Sequence, residues 1–201
     1  MRFVSLVALL LLGLAACAPQ NREPTFPSMH PYPIVVREFA FSPGVVTLDP
    51  TLGYSLDRGS PGVPRTERAD ALGRAAAFNL ADAASRELIR LGYDAVSGTD
   101  GVAATAARAL VVSGDFQHIY EGHRHEGAGV DVSVAIDYEA AGEPPQRLTT
   151  FVLDSRRLAH EGLVPIAGEH GEDVNYEATR LGAAIGRYVA QIAQSDRWPA
   201  R

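Results

Sequence analysis

Four of the six histidines in this 201-residue chain are the side chains best suited by type and spacing to do chemistry. His118, His123 and His125 fall in HIYEGHRHEG, and His170 falls in GEHGED. A His-x-His pair on a strand presents both rings to one face, and three or four imidazoles are a ligand set for a transition metal. Such a site would make the chain a metal-dependent enzyme. The neighbouring residues argue otherwise. Gly122 and Gly127 bracket His123 and His125 as they would a hairpin turn. No cysteine or closely spaced carboxylate completes the set in sequence. The cluster therefore reads as an exposed polar turn, no metal is expected, and the metal enzyme is a remote alternative.

Other chemistries fare no better. Ser113, in Val112-Ser113-Gly114-Asp115, lies inside a predicted strand with no G-x-S-x-G elbow around it. Asp115 with Glu121, or Asp131 with Asp137, could be imagined as a paired acid and base, but acids scattered along a wet strand face read as plain surface. Arg65-Thr66-Glu67-Arg68 could meet an anion at a helix N-terminus, and salt-bridged surface is the simpler reading. No glycine-rich phosphate loop or dinucleotide fingerprint opens that helix, so no cofactor is expected. All 18 basic residues are arginine. Without lysine there is no Schiff base and no Walker-A loop. A net charge of −6 argues against nucleic acid, which needs a basic stripe. No catalytic residue is assigned, and the chain is expected not to be an enzyme.

The one cysteine carries more information. Arg2 precedes Phe3–Leu14, twelve uncharged residues that are too few to span a bilayer and suit the apolar core of a secretory signal. Leu14-Ala15-Ala16-Cys17 resembles the lipobox of bacterial lipoproteins. That resemblance implies cleavage between Ala16 and Cys17, a thioether diacylglycerol on the Cys17 sulfur and acylation of the new amino terminus. Each buried CH₂ contributes about 0.8 kcal/mol, so two or three acyl chains hold a protein at a membrane without a spanning helix. The resemblance also implies a membrane: in lipoproteins of the enterobacterial type, a residue other than Asp after the cysteine, here Ala18, favours the outer membrane over the inner. Loss of Arg2 with the signal leaves the remainder at −7, which suits a domain held near an anionic membrane rather than adsorbed on it. Ala18–Pro33 holds five prolines and reads as a polyproline-like tether of up to about 50 Å. The expected division is residues 1–16 signal peptide, 17–33 lipidated Cys and tether, 34–194 one folded domain, and 195–201 a C-terminal tail.

Within the domain, Ile34–Phe41 (IVVREFAF) predicts a strand, extended or followed by Val45–Leu48. Asp49–Pro64 is rich in Pro and Gly and predicts a long loop. Thr66–Leu91 carries Leu72, Ala76, Leu80, Ala84, Leu88 and Leu91 at helical spacing, with Thr66 as N-cap and Gly92 as stop. Gly101–Ala109 reads as a linker or short helix. Ala109–Glu121 predicts a strand with Leu110, Val112, Phe116 and Tyr120 on one side. Ala128–Ala140 alternates with period two, Val130 to Tyr138 on one face and Asp131 to Glu139 on the other. Arg147–Arg156 follows a Gly-Glu-Pro-Pro turn as a further strand. Leu158–Gly171 is loop, and Asp173–Gln194 predicts a second helix capped by Asp173, with Gly182 and Gly186, beside Ala178 and Ala190, giving a face of small residues that could pack closely on the sheet or on the first helix. The order β-α-β-β-β-α predicts a single α+β domain: an antiparallel meander in a mixed sheet, packed against two amphipathic helices.

Leu110–Gly122 (LVVSGDFQHIYEG) resembles the signature of the bacterial lipoprotein family known as domain of unknown function 4410, through Gly114, Asp115, Phe116, Ile119, Gly122 and Arg124. The likeness extends over roughly residues 34–157, with Val35–Phe39, Leu91-Gly92-Tyr93 and Arg147–Asp154 fitting in order. It implies a periplasmic accessory domain and transfers no catalytic residue. The expected function is a lipid-anchored periplasmic lipoprotein that binds an envelope protein. A lipid or small-molecule carrier is the alternative, and it needs an apolar pocket between sheet and helices.

Overall fold

The computed structural model describes residues 33–50, 62–98, 108–123, 126–158 and 173–194. The signal, Cys17, the tether, His125, His170 and most of Asp49–Pro64, Gly101–Ala109 and Leu158–Gly171 lie outside the described residues. The strands are β1 (Ile34–Arg37), β2 (Val46–Thr47), β3 (Ala95–Gly98), β4 (Arg108–Tyr120), β5 (Gly129–Ala140) and β6 (Gln146–Asp154). The helices are α1 (Arg65–Arg90) and α2 (Val174–Gln194), and a 3₁₀ turn, Pro43–Val45, precedes β2.

The sheet runs β3-β1-β4-β5-β6, with β2 also paired to β4. β4, β5 and β6 are the expected antiparallel meander. β1 lies between β3 and β4 and is parallel to both, so the sheet is mixed. A strand flanked on both sides with both faces covered needs no polar alternation, and Ile34, Val35 and Val36 are all buried. The domain is α+β, as the element order predicts.

Period two places Ile34, Val36, Leu110, Val112, Val132, Val134 and Ile136 on the inner face, under both helices. Leu80, Leu88, Leu181 and Ile185 fill the layer between and are fully buried. The ring of Phe151 on β6 lies 4.3 Å from that of Tyr188 on α2. The two helices touch through the small-residue face of α2. A Cβ on Gly182 would lie 2.2 Å from the Leu80 carbonyl oxygen, and one on Gly186 would lie 2.8 Å from that of Ala84. The small face thus serves α1, one of its two expected partners. Asn79 and Asn175 hydrogen-bond across the helices at 3.0 Å, and Glu87 of α1 bridges Arg90 and Arg187 at 2.8 and 3.2 Å.

Several boundaries differ from expectation. α1 starts at Arg65, with extended Pro64 in the cap position and no side-chain cap, so Thr66 is not the N-cap. Pro64 instead offers its carbonyl to the Arg68 N–H at 3.0 Å. Gly92 is the stop: at φ +90° it lets its own N–H reach Ile89 O and the Tyr93 N–H reach Leu88 O. Asp173 caps α2 by accepting from the Asn175 N–H at 3.0 Å. β1 ends at Arg37, four residues before Phe41. Phe39 turns into the core, and Ala40 alone rejoins the sheet by a bridge to Asp115.

Tyr120 does not share a side with Phe116. A bulge between Phe116 and His118 shifts the register against β5, so Ile119 becomes the buried residue and Tyr120 turns outward. β3 was not expected, because four residues with one strong β-former, Val96, carry too little pattern.

Candidate functional site: the open face of the sheet

Both helices lie on one face, and the opposite face carries the chain's polar strand residues. Cross-strand partners share a face, so the register builds this surface row by row. One row is Val35, Val111, Asp137 and Arg147. The next holds Arg37, Ser113, Ala135 and Thr150, flanked by Asp115, Ser133 and Val152. The last is His118, Asp131 and Asp154.

The first rows hold two tethered arginines. Arg37 reaches from β1 across β4 to Glu139 on β5 at 2.9 Å. Arg147 on β6 grips Asp137 through Nε and Nη2, and its Nη1 donates to Thr150 Oγ1 at 3.3 Å. Asp137 is therefore buried and paired, not the plain surface acid expected of it. Beside these pairs lies a groove of about 550 Å³ that opens to solvent. Ala40, Gly114 and Ala135 are among the residues lining it; Gly114 pairs with inward-facing Val134, and a Cβ there would lie 2.5 Å from the core ring of Phe39.

At the far end, His118 Nε2 lies 3.0 Å from Thr47 Oγ1, and its ring stacks on Tyr120. His123 meets Tyr120 edge-on and pairs with Glu126 at 3.0 Å. Arg156 sits 5.8 Å over the same Tyr120 ring. Tyr120 thus contacts both described histidines, and each has its own polar partner, Thr47 for His118 and Glu126 for His123. Among the described residues no group of three or more His, Cys, Asp or Glu could hold a metal.

The imagined acid pairs also separate. Asp115 is exposed on the open face, whereas Glu121 is buried and bonds the Asp49 N–H at 2.8 Å and Arg68 at 3.2 Å. The anion that Arg68 meets is this internal carboxylate, and Arg65 donates to Leu48 O. The carboxylates that do meet are Asp131 and Asp154, directly opposite on β5 and β6. Sequence reasoning missed this pair because only the register brings positions 131 and 154 together.

Asp154 is braced by Arg156 and Arg157 at 3.7 and 3.6 Å. Asp131 Oδ1 is enclosed with no hydrogen-bond partner among the described residues. Burial first, then Asp154, pushes the Asp131 carboxyl above its ordinary range, with His118, Arg156 and Arg157 pulling weakly the other way. A pKa raised by folding contributes stability below the unfolded value that is lost as pH rises through the folded one. Asp131→Asn should therefore raise the thermal midpoint at pH 7, by about 2 °C. The gain should shrink as pH falls through the raised value, where the parent carboxyl becomes protonated. Thermal melts of both proteins across that range check this, and an equal gain at all pH values would contradict it.

These features define a domain of one sheet and two helices whose salt-bridged polar face carries neither α1 nor α2, although Val35, Ala109 and Val111 on that face are buried. No family model matches the chain, and no curated protein matches it. Among solved structures it is similar to the crystal structure of a neuraminyllactose-binding hemagglutinin homolog from Helicobacter pylori. The two are 11% identical over 82% of this chain and 86% of that one, with a TM-score of 0.33. A likeness of that size carries no functional argument.

Proposed function

We propose that the chain is a lipid-anchored periplasmic lipoprotein, on the outer membrane, whose folded domain is a non-enzymatic accessory module that binds an envelope protein through its open sheet face. The observation that carries this reading is the placement of the only cysteine: Cys17 ends the chain's one long apolar N-terminal run in Leu14-Ala15-Ala16-Cys17. The resemblance to domain of unknown function 4410 agrees with it. The geometry supports the second half. Both helices are spent on the inner face, whose core is filled, so an internal apolar carrier site has no support among the described residues. The outer face offers arginines, carboxylates, hydroxyls and Val152, which is 60% exposed on the edge strand β6.

Cys17→Ser tests the anchor. The parent chain should fractionate with membranes and carry acyl mass on a cleaved amino terminus beginning at Cys17. The variant should lose the acyl mass and keep residues 1–16. A parent chain without acyl groups would overturn the reading. A photo-crosslinker at Thr150 should trap one reproducible envelope protein that a crosslinker at exposed Arg86, on α1, does not. The same adducts from both positions would remove the docking role.

A further inference from the structure

β6 ends the sheet, and among the described strands β5 alone pairs with it. The Ser155 N–H donates to Val130 O on β5 at 2.9 Å. An antiparallel strand turns its N–H and C=O groups alternately toward and away from one neighbour. Leu153, Phe151 and Thr149 therefore face β5, whereas Val152 and Thr150 aim theirs off the sheet. Both of these side chains are exposed, Val152 by 60%. Natural sheets blunt such an edge with proline, lysine or a mid-strand bulge. Gln146–Asp154 holds no proline and no lysine, and its one arginine, Arg147, is turned onto Asp137. The bulge sits at Leu148, so Thr149–Asp154 runs in unbroken register.

The outer side chains of this edge complement themselves. Asp154, Val152, Thr150 and Arg147 stand opposite Asp131, Ser133, Ala135 and Asp137, which are alternate residues of β5. They are thus evenly spaced, because the bulge takes up Leu148. A two-fold axis at Phe151, normal to the sheet, lays this row against its own reverse. Val152 falls opposite the partner's Thr150, and Asp154 opposite the partner's Arg147. On the inner face half-buried Phe151 meets its own copy. Thr150 and Val152 then exchange both backbone hydrogen bonds across the axis. Moving the axis to Val152 or to Thr150 separates Asp154 from Arg147, and parallel pairing sets like charges side by side. The ion pairs at this rim fix register and direction more than affinity.

We propose that β6 is a self-association edge: two copies join β6 to β6, antiparallel about Phe151, into one continuous sheet. A symmetric pair uses the same patch on both copies and closes there. The polar face stays open in both copies. The inference therefore goes beyond the docking role and rests neither on it nor on the lipid anchor.

Sedimentation of the full-length chain in density-matched detergent, over a concentration series, should give a mass of two chains per particle. Val152→Lys should raise the dissociation constant at least about tenfold. Its thermal melt should match the parent's, because the side chain is exposed in the single chain. Disulfide formation reads the register. Thr150→Cys and Val152→Cys are made as separate chains. Opposed residues of a hydrogen-bonded pair have Cα atoms about 5.5 Å apart, within disulfide reach. Oxidation of the mixture should give a crosslinked dimer. Each variant alone should give no more than the parent, whose Cys17 sets the background. A parent that stays monomeric at every concentration overturns the proposal. So does a Val152→Lys chain that dimerises as the parent does, or equal crosslinking by either variant alone. A photo-crosslinker at Val152 that traps a different protein on a monomeric chain gives the edge to that partner and refutes self-pairing. A Thr150 adduct to a second copy is told from a docking adduct by its doubled chain mass.

Discussion

Gly182→Val should lower the thermal midpoint by about 10 °C. The position is mid-helix in α2, where valine or alanine would ordinarily improve on glycine by roughly 0.5–1 kcal/mol. The sign reverses because a Cβ would sit 2.2 Å from the backbone oxygen of Leu80 and 3.0 Å from the Ala83 side chain. A backbone oxygen inside α1 cannot swing aside as a side-chain end could. The helices must separate, and with them the layer of Leu80, Leu181 and Ile185. Overpacking typically costs 1–3 kcal/mol and more against rigid neighbours, so about 4 kcal/mol is expected for valine and about 2 for alanine. At roughly 2–4 °C per kcal/mol for a domain of this size, the shift follows. Calorimetry of the parent, alanine and valine forms checks it. An alanine form more stable than the parent would show that the helices do not approach this closely.

Glu121→Ala should cost about 3 kcal/mol, or about 8 °C in the thermal midpoint. Glu121 is only 4% exposed. Its Oε2 accepts from the Asp49 N–H and its Oε1 from Arg68, which is itself 14% exposed. One carboxylate thus joins the end of β4, the segment after β2 and the first turn of α1. Truncation leaves a guanidinium and a backbone N–H enclosed without their acceptor, and that desolvation penalty, more than the lost attraction, sets the size of the effect. Glu121→Gln keeps an acceptor oxygen and should cost about 1 kcal/mol. Chemical denaturation of the three proteins separates the cases. Equal losses for alanine and glutamine would mean that the charge alone matters.

The two predictions differ in how much a sequence reveals. The small face of α2 is visible as Ala178, Gly182, Gly186 and Ala190 at helical spacing, and only its partner was open. The alternation from Val130 to Tyr138 is equally plain, because period two needs no knowledge of neighbours. Glu121 looked like one more acid, because its partners stand at Asp49 and Arg68, far away in the chain. The outward turn of Tyr120 was hidden for the same reason. The bulge that causes it belongs to the pairing of β4 with β5, not to either strand alone. Parallel β1 left no trace beyond its apolarity, since apolar runs of four fit many places. The polar face was legible as polar, but its function depends on which row each residue joins, and register is long-range.

The position of β1 has a consequence for how the protein is made. Ile34–Arg37 is the earliest element of the described domain to leave the ribosome, yet its two neighbours are β3 and β4. It cannot pair on one side until α1 and β3 exist, nor on the other until β4 does, whereas the β4-β5-β6 hairpins can close on adjacent chain. Loop-closure entropy favours the hairpins as the early event and leaves the N-terminal strand to enter last, between two strands already made. Until then Ile34, Val35 and Val36 are a bare, aggregation-prone edge on a nascent chain. The order of synthesis and the order of assembly run in opposite directions, and the interval between them is when this protein most needs a chaperone.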